Sequence, residues 1–168
     1  MSRIYLVGFM GSGKTTVGGL LAERLGVPFV DLDQVFESMS GRTIREMFEL
    51  HGEPWFRQRE TELLRGTADL PEAVIALGGG TFVFPENAAF IQEHGVSVFL
   101  DASFDVIAER IRGKGDRPLF RSLEEARKLY EARIPWYKMA SWAIPVSESE
   151  SVSAVVDRVE AIVRKGVR

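Results

Sequence analysis

The chain has no cysteine among its 168 residues. That excludes a disulfide framework and any metal site built on thiolates. Histidine is nearly as scarce, with only His51 and His94. Both fall at or near the ends of predicted helices, where such placement is structural, so neither is read as catalytic. No apolar run approaches the about 18 residues that a membrane-spanning helix needs. The opening Met-Ser-Arg passes directly into a predicted strand, with no basic leader, apolar run and cleavage site. A cytoplasmic protein is therefore the expectation, without a membrane partner. The formal net charge of -3 argues against a broad nucleic-acid-binding face, though it leaves room for a local basic pocket. There is no internal repeat and no low-complexity linker. Nothing spells out a partner surface, which favours a monomer. What remains is ordinary globular composition, 45% hydrophobic and 27% charged, enough for one domain over residues 1–168.

One stretch organises the rest. Gly8-Phe9-Met10-Gly11-Ser12-Gly13-Lys14-Thr15 fits G-x-x-x-x-G-K-[ST] at every fixed position. Ile4 to Val7 read as a buried strand before it, and Val17, Leu20, Leu21 and Leu25 mark one face of a helix after it. Strand, glycine loop and helix form an arrangement in which backbone N–H groups hold phosphate. Gly11, Ser12, Gly13, Lys14, Thr15 and Thr16 are the expected nucleotide contacts. Lys14 can reach the outer phosphates, and the Thr15 hydroxyl can ligate magnesium. ATP and Mg2+ are the cofactors this implies.

Downstream, Leu25-Gly26 ends the first helix and a short strand, Phe29 to Asp33, runs into acid. If the segment stays extended, Asp31 and Asp33 share a face and point to one pocket: one carboxylate for hydrated magnesium, the other for a proton. Alternatively Asp33 caps the helix carrying Val35, Phe36 and Met39. Thr43 with Glu46 forms a capping box for a helix with Ile44, Met47, Phe48 and Leu50. The next helix, Glu53 to Arg65, places Arg57 and Glu60 on one face. The Arg57 fork suits a carboxylate, either of a small substrate or of Glu60 itself.

A core strand, Ala73 to Leu77, then runs into Gly78-Gly79-Gly80. Such a run makes sense where a ligand lies against the backbone; a tight turn is the alternative. Asn87 is a candidate cap for a helix ending at His94. After the strand Val96 to Leu100, the segment from Arg110 to Arg117 holds four cations and two glycines within eight residues. It reads as a mobile basic loop that brings Arg117 over phosphate. A helix from Ser122 should kink or end near Ile134, before Pro135. Trp136, Tyr137 and Met139 look like core or pocket wall. The last strand, near Trp142 to Ile144, and a closing helix complete about five strands alternating with helices. The fold class is α/β, a parallel sheet between helical layers.

Asp33, Arg57, the three glycines and Arg133 then suggest a second site, one base with two cations, for a small acceptor bearing a hydroxyl and a negative group. The ordered set Gly8 to Thr15, Asp31-Leu32-Asp33, Phe56 to Glu60, Gly78-Gly79-Gly80, Arg117-Pro118-Leu119 and Arg133 to Tyr137 resembles the shikimate kinases over nearly the whole chain. The resemblance implies ATP-dependent phosphorylation of the 3-hydroxyl of shikimate, on the route to chorismate and the aromatic amino acids. It implies a three-layer P-loop NTPase fold, nucleoside monophosphate kinase-like, with a substrate-binding helical region (33–61) and a lid (112–122). By the same resemblance Asp33 binds shikimate hydroxyls and is the candidate base, while Arg57 and Arg133 grip the carboxylate. Gly79 and Gly80 line the site, Glu60 holds the cluster, and Phe48 and Phe56 are its aromatic walls. Thr15 is the direct magnesium ligand and Asp31 a water-mediated one. Arg117 is the lid arginine, catalytic with Lys14 and Asp33, and Arg110 packs over adenine. Ile134 departs from the asparagine frequent before the proline in that family, a change that bears on local packing. The competing readings are a gluconate or nucleoside monophosphate kinase on the same fold, or a regulatory nucleotide-binding module.

Overall fold

A computed structural model describes residues 3–112 and 122–166. Its strands are β1 (Arg3–Val7), β2 (Phe29–Asp31), β3 (Val74–Ala76), β4 (Gly95–Ala102) and β5 (Trp142–Val146). They form one parallel sheet in the order β2-β3-β1-β4-β5. A parallel neighbour needs a crossover, and helices supply it: α1 (Lys14–Leu25), α2 (Leu32–Ser40), α3 (Ile44–His51), α4 (Glu53–Gly66), α5 (Pro85–His94), α6 (Phe104–Arg112) and α7 (Leu123–Tyr137); α8 (Val152–Gly166) follows the last strand. The central strands are covered on both faces, which is why β1 and β3 read as unbroken apolar runs. Proline is tolerated at Pro145 because β5 is an edge strand.

The main core gathers the sheet with Val17 and Leu21 of α1 and Val155, Val156, Val159 and Val163 of α8. A satellite core, Phe36, Met47 and Phe56, joins α2, α3 and α4 into a separate corner. Among the described residues no helix is long and apolar enough to cross a membrane. The predicted caps at Gly26 and Thr43 are present, the first with left-handed torsions and the second as the full capping box; Gly41 ends α2 with left-handed torsions as well.

Several local expectations need correction. The second strand stops at Asp31, not Asp33. Asp31 itself caps α2, its Oδ1 accepting the Gln34 N–H at 3.2 Å, so Asp33 lies in the first helical turn. Asn87 is not a cap either. Proline at the first turn of α5 starts that helix, with Phe84 as N-cap. The buried Asn87 amide instead donates to the Thr81 carbonyl at 3.0 Å and accepts from Thr61 Oγ1 at 3.1 Å. Helix α7 runs through Pro135 to Tyr137. A proline there forfeits one backbone bond, and the buried Tyr137 anchors the final turn. Met39, Leu50, Trp136 and Met139, read as apolar-face or core residues, are exposed.

Strand register sets the site. Leu6 and Asp31 both pair with Ala76 across adjacent strands. Gly8, Gly78 and Asp33 each follow two residues later. The phosphate loop, the glycine run and the acidic turn therefore leave the sheet level with one another, at the carboxyl ends where α/β sheets bind ligands.

Candidate active site

The loop after β1 is shaped by torsion. Gly11 and Gly13 have φ of 80° and 101°, a region that side chains with a Cβ rarely occupy. Gly13 caps α1 without any side-chain acceptor, so the first-turn N–H groups face outward for an anion. Lys14 Nζ donates to the carbonyls of Gly8 at 2.7 Å and Phe9 at 3.0 Å, which holds its charge beside the loop. Arg110 Nη1 donates to the Gly11 carbonyl at 2.9 Å, bringing α6 against the same loop. Thr16 is exposed in the first turn of α1. Ser12 is buried, and its Oγ has no hydrogen-bond partner among the described residues.

On the acidic side, Thr15 Oγ1 donates to Asp31 Oδ2 at 2.6 Å. A hydroxyl and a carboxylate thus meet next to the loop. Two residues on, Asp33 faces Glu60. Burial first, and the Glu60 charge second, push the Asp33 carboxyl up to about 6, while Lys14 opposes that rise and Asp31 and Glu37 add to it.

Arg57 is the centre of a dense cluster. Its Nη1 donates to Glu60 Oε1 at 2.9 Å and its Nε to Glu53 Oε1 at 3.4 Å. Glu60 is only 3% exposed, and Thr81 Oγ1 donates to its other oxygen at 2.8 Å. The guanidinium carbon lies 5.5 Å from the Phe48 ring, 5.3 Å from Phe56 and 5.5 Å from Phe84. Phe48 and Phe56 pack together with centroids 4.3 Å apart. Arg133 comes from α7 and sits with its guanidinium carbon 5.9 Å from the Phe9 ring. Tyr137, one turn later, donates from its hydroxyl to the Gly79 carbonyl at 2.5 Å. Burial pushes that phenol up to about 12, against the pull of Arg133, so it stays a proton donor at neutral pH.

The glycine run explains how these groups come together. A Cβ on Gly78 would lie 2.8 Å from both Asp33 Oδ1 and Glu60 Oε2. On Gly79 it would meet Arg133 Nη1 at 3.0 Å, and on Gly80 the Arg57 Nη1 at 2.5 Å. None of the three has positive φ. The run was expected to leave room for a ligand against the backbone. It first leaves room for the protein's own carboxylates and guanidiniums, which press on consecutive residues.

Of the sequence-predicted residues, Gly11, Ser12, Gly13, Lys14, Thr15 and Arg110 gather at the phosphate loop. Asp33, Arg57, Glu60, Phe48, Phe56, Gly79, Gly80 and Arg133 gather around the glycine run. Arg117, with the rest of 113–121 in the expected lid, lies outside the described residues. Sequence reasoning gave no polar role to Thr81 or Tyr137 and no aromatic role to Phe84. Tyr137 carries a periodicity signal, four residues after Arg133 on one helical face. Thr81 and Phe84 carry none, because their partners lie on another helix.

A shikimate kinase family model matches residues 10–164. A shikimate kinase of Ruegeria pomeroyi is 43% identical over 161 residues, covering 94% of this chain and 83% of that protein. The crystal structure of the Bacteroides thetaiotaomicron shikimate kinase aligns with a TM-score of 0.88 at 34% identity, over 97% of this chain and 98% of that one. The shikimate kinase of Acinetobacter baumannii in complex with shikimate aligns with a TM-score of 0.89 at 33% identity, over 100% and 96%. The sheet and its flanking helices are thus the nucleoside monophosphate kinase-like P-loop fold. Motif, fold and kinship agree on one assignment: the chain belongs to the shikimate kinase family and is an ATP-dependent kinase of that family.

Proposed function

We propose that this kinase binds shikimate with its carboxylate between Arg57 and Arg133 and its 3-hydroxyl against Asp33, and phosphorylates that hydroxyl to give shikimate 3-phosphate and ADP. The reading rests above all on one observation: a carboxylate and two guanidiniums pack on three consecutive glycines, level with the phosphate loop. An acceptor with one acidic and one hydroxyl end fits that polarity. A monophosphate acceptor would need cations for a dianion and a surface that recognises a base.

Each group has a distinct task. The N–H groups of the loop and of the first turn of α1 orient the ATP phosphates, and Lys14 stabilises charge on the outermost one. Arg110 lies beside that loop for the adenine end. Asp33, raised to about 6, is ionised at neutral pH yet basic enough to take the hydroxyl proton as the oxygen attacks. Glu60 and Thr81 hold Arg57 in place, and Phe48 and Phe56 wall its pocket. The donor set at Thr15 and Asp31, two hard oxygens in contact, suits magnesium shared with nucleotide phosphates and water. Magnesium there would neutralise phosphate charge. Arg117 is assigned the lid role through the family resemblance. Residues 33–61 form the acceptor-binding region, and the molecule acts in the cytoplasm as a monomer.

The test is an ADP-release assay with shikimate, gluconate and nucleoside monophosphates as acceptors. Shikimate should stimulate release by orders of magnitude and the others should not. No stimulation by shikimate in a sample that binds ATP would defeat the reading. Asp33→Asn should lower kcat by about 100-fold or more while ATP affinity is nearly retained; near-normal turnover would remove the base role.

A further inference from the structure

Arg57 is the cation with the most aromatic surroundings in the described chain. Phe48 comes from α3 and Phe56 from α4, so two of its rings belong to the helical corner that also carries Arg57. The third ring does not. Phe84 follows the glycine run and the short turn Thr81–Val83, and is the N-cap of α5 with extended torsions, φ -95° and ψ 123°. It reaches Arg57 from a segment outside that corner, 5.5 Å from the guanidinium carbon. Thr81 is tied to Glu60 and Asn87 is tied back to Thr81, so the segment between them is pinned at both ends.

Three rings around one guanidinium displace its water. The side chain of Arg57 retains 17% exposure, and Glu60 and Glu53 take Nη1 and Nε. Nη2 has no hydrogen-bond partner among the described residues and lies beside Gly80. A cation held this way meets an incoming carboxylate in a medium of low polarity, where a charge-assisted bond gains strength. The ring faces also keep the positive charge in place before the anion arrives.

We propose that Phe84 is a positioning and specificity residue for the acceptor: its ring closes the third side of the Arg57 pocket and makes the site selective for a carboxylate over its uncharged ester. This deepens the shikimate reading above and rests on it.

The experiment compares shikimate with its methyl ester on the full chain, as wild type, Phe84→Ala, Phe84→Leu and Phe84→Tyr, by binding titration and by ADP release. Phe84→Ala should raise the shikimate Kd and KM about tenfold, with a smaller change in kcat and in the KM for ATP. Its effect on the ester should be small, so the acid-to-ester preference narrows. Phe84→Tyr should restore the preference and Phe84→Leu should restore only part of it, because leucine fills the space without a ring face. Equal losses on acid and ester, full rescue by leucine, or an unchanged shikimate Kd in Phe84→Ala would each overturn the proposal. If the wild type fails to turn over shikimate at all, the functional reading fails first, and the two failures are told apart.

Discussion

Two glycine-rich turns build this site, and they need glycine for opposite reasons. At Gly11 and Gly13 of the phosphate loop there is room but the torsions are forbidding. A Cβ on Gly11 or Gly13 would find no neighbour closer than 3.7 Å and 3.6 Å, yet φ is 80° and 101°. After β3 the torsions are ordinary but the space is taken. A Cβ on Gly78 or Gly80 would lie 2.8 Å and 2.5 Å from charged side chains. The first turn uses glycine to aim backbone N–H groups at a ligand. The second uses it so that acids and cations can approach the sheet end from three different helices.

The sharpest way to break this contrast is Gly80→Ala. The new methyl must expel Arg57, and losing one partner of a desolvated charge pair is expected to raise the KM for shikimate about 100-fold. The KM for ATP should move little. Placed in an Arg57→Ala background, the same substitution should add almost nothing, since its target is gone. Full additivity in that cycle, read from steady-state kinetics, would mean that Gly80 acts through the backbone after all.

Gly13→Ala should do the reverse. A left-handed torsion costs about 1–2 kcal/mol for a residue with a Cβ, so ATP affinity should fall about tenfold with shikimate affinity largely kept. Gly13→Asn should lose less, because asparagine tolerates such torsions better. Equal losses for alanine and asparagine in nucleotide titrations would point to crowding instead of strain.

A gentler probe uses pH. Ionised Asp33 is disfavoured by burial and by Glu60, so its carboxyl keeps a proton until about 6. As pH falls through that value the base is lost, and kcat/KM for shikimate should drop there instead of near the ordinary carboxylate value of about 4. Glu60→Gln removes the like charge and should move this acid limb to lower pH. The same shift has a sign for stability. A carboxyl raised above its unfolded value favours the fold when protonated, and that advantage is lost as pH rises through about 6. Asp33→Asn should therefore raise the melting temperature most at pH 8, by less at pH 5, and little near pH 4. A limb that does not move in Glu60→Gln would separate the two carboxylates that Gly78 brings together.

The smallest effect belongs to Ser12→Ala. The buried Ser12 hydroxyl has no partner among the described residues, so its removal should be neutral or stabilise by up to about 1 kcal/mol in thermal unfolding. A clear loss of stability would show that the hydroxyl has a bonded partner.

Much of this was legible in the chain. Uninterrupted apolar runs marked the strands, and Gly26 and the Thr43–Glu46 box marked helix ends, because these signals are local. Asp33 reads either as part of an extended segment or as the cap of the next helix, and it is neither: it lies in the first turn of α2. Two-residue spacing describes a strand, whereas the structure has already turned into α2 with Asp31 as its cap. The spacing offers the Arg57–Glu60 pair, but the burial of Glu60 and its second bond, from Thr81, leave no local signal. The continuation of α7 past Pro135 was hidden as well, since the anchor that favours it, Tyr137 on Gly79, joins residues far apart in sequence. Pairwise long-range contacts leave no periodic trace.

The level exit of Gly8, Gly78 and Asp33 from neighbouring strands has a consequence for how such an enzyme can diversify. Donor and acceptor are spaced by the hydrogen-bond ladder itself, about 4.8 Å for each strand step, and not by any flexible joint. On the proposed reading, acceptor choice is written on α3, α4, α7 and the Phe84 segment before α5, which decorate that frame from outside. New acceptors can thus be tried by altering the decoration alone, while the gap that the phosphoryl group must cross stays unchanged.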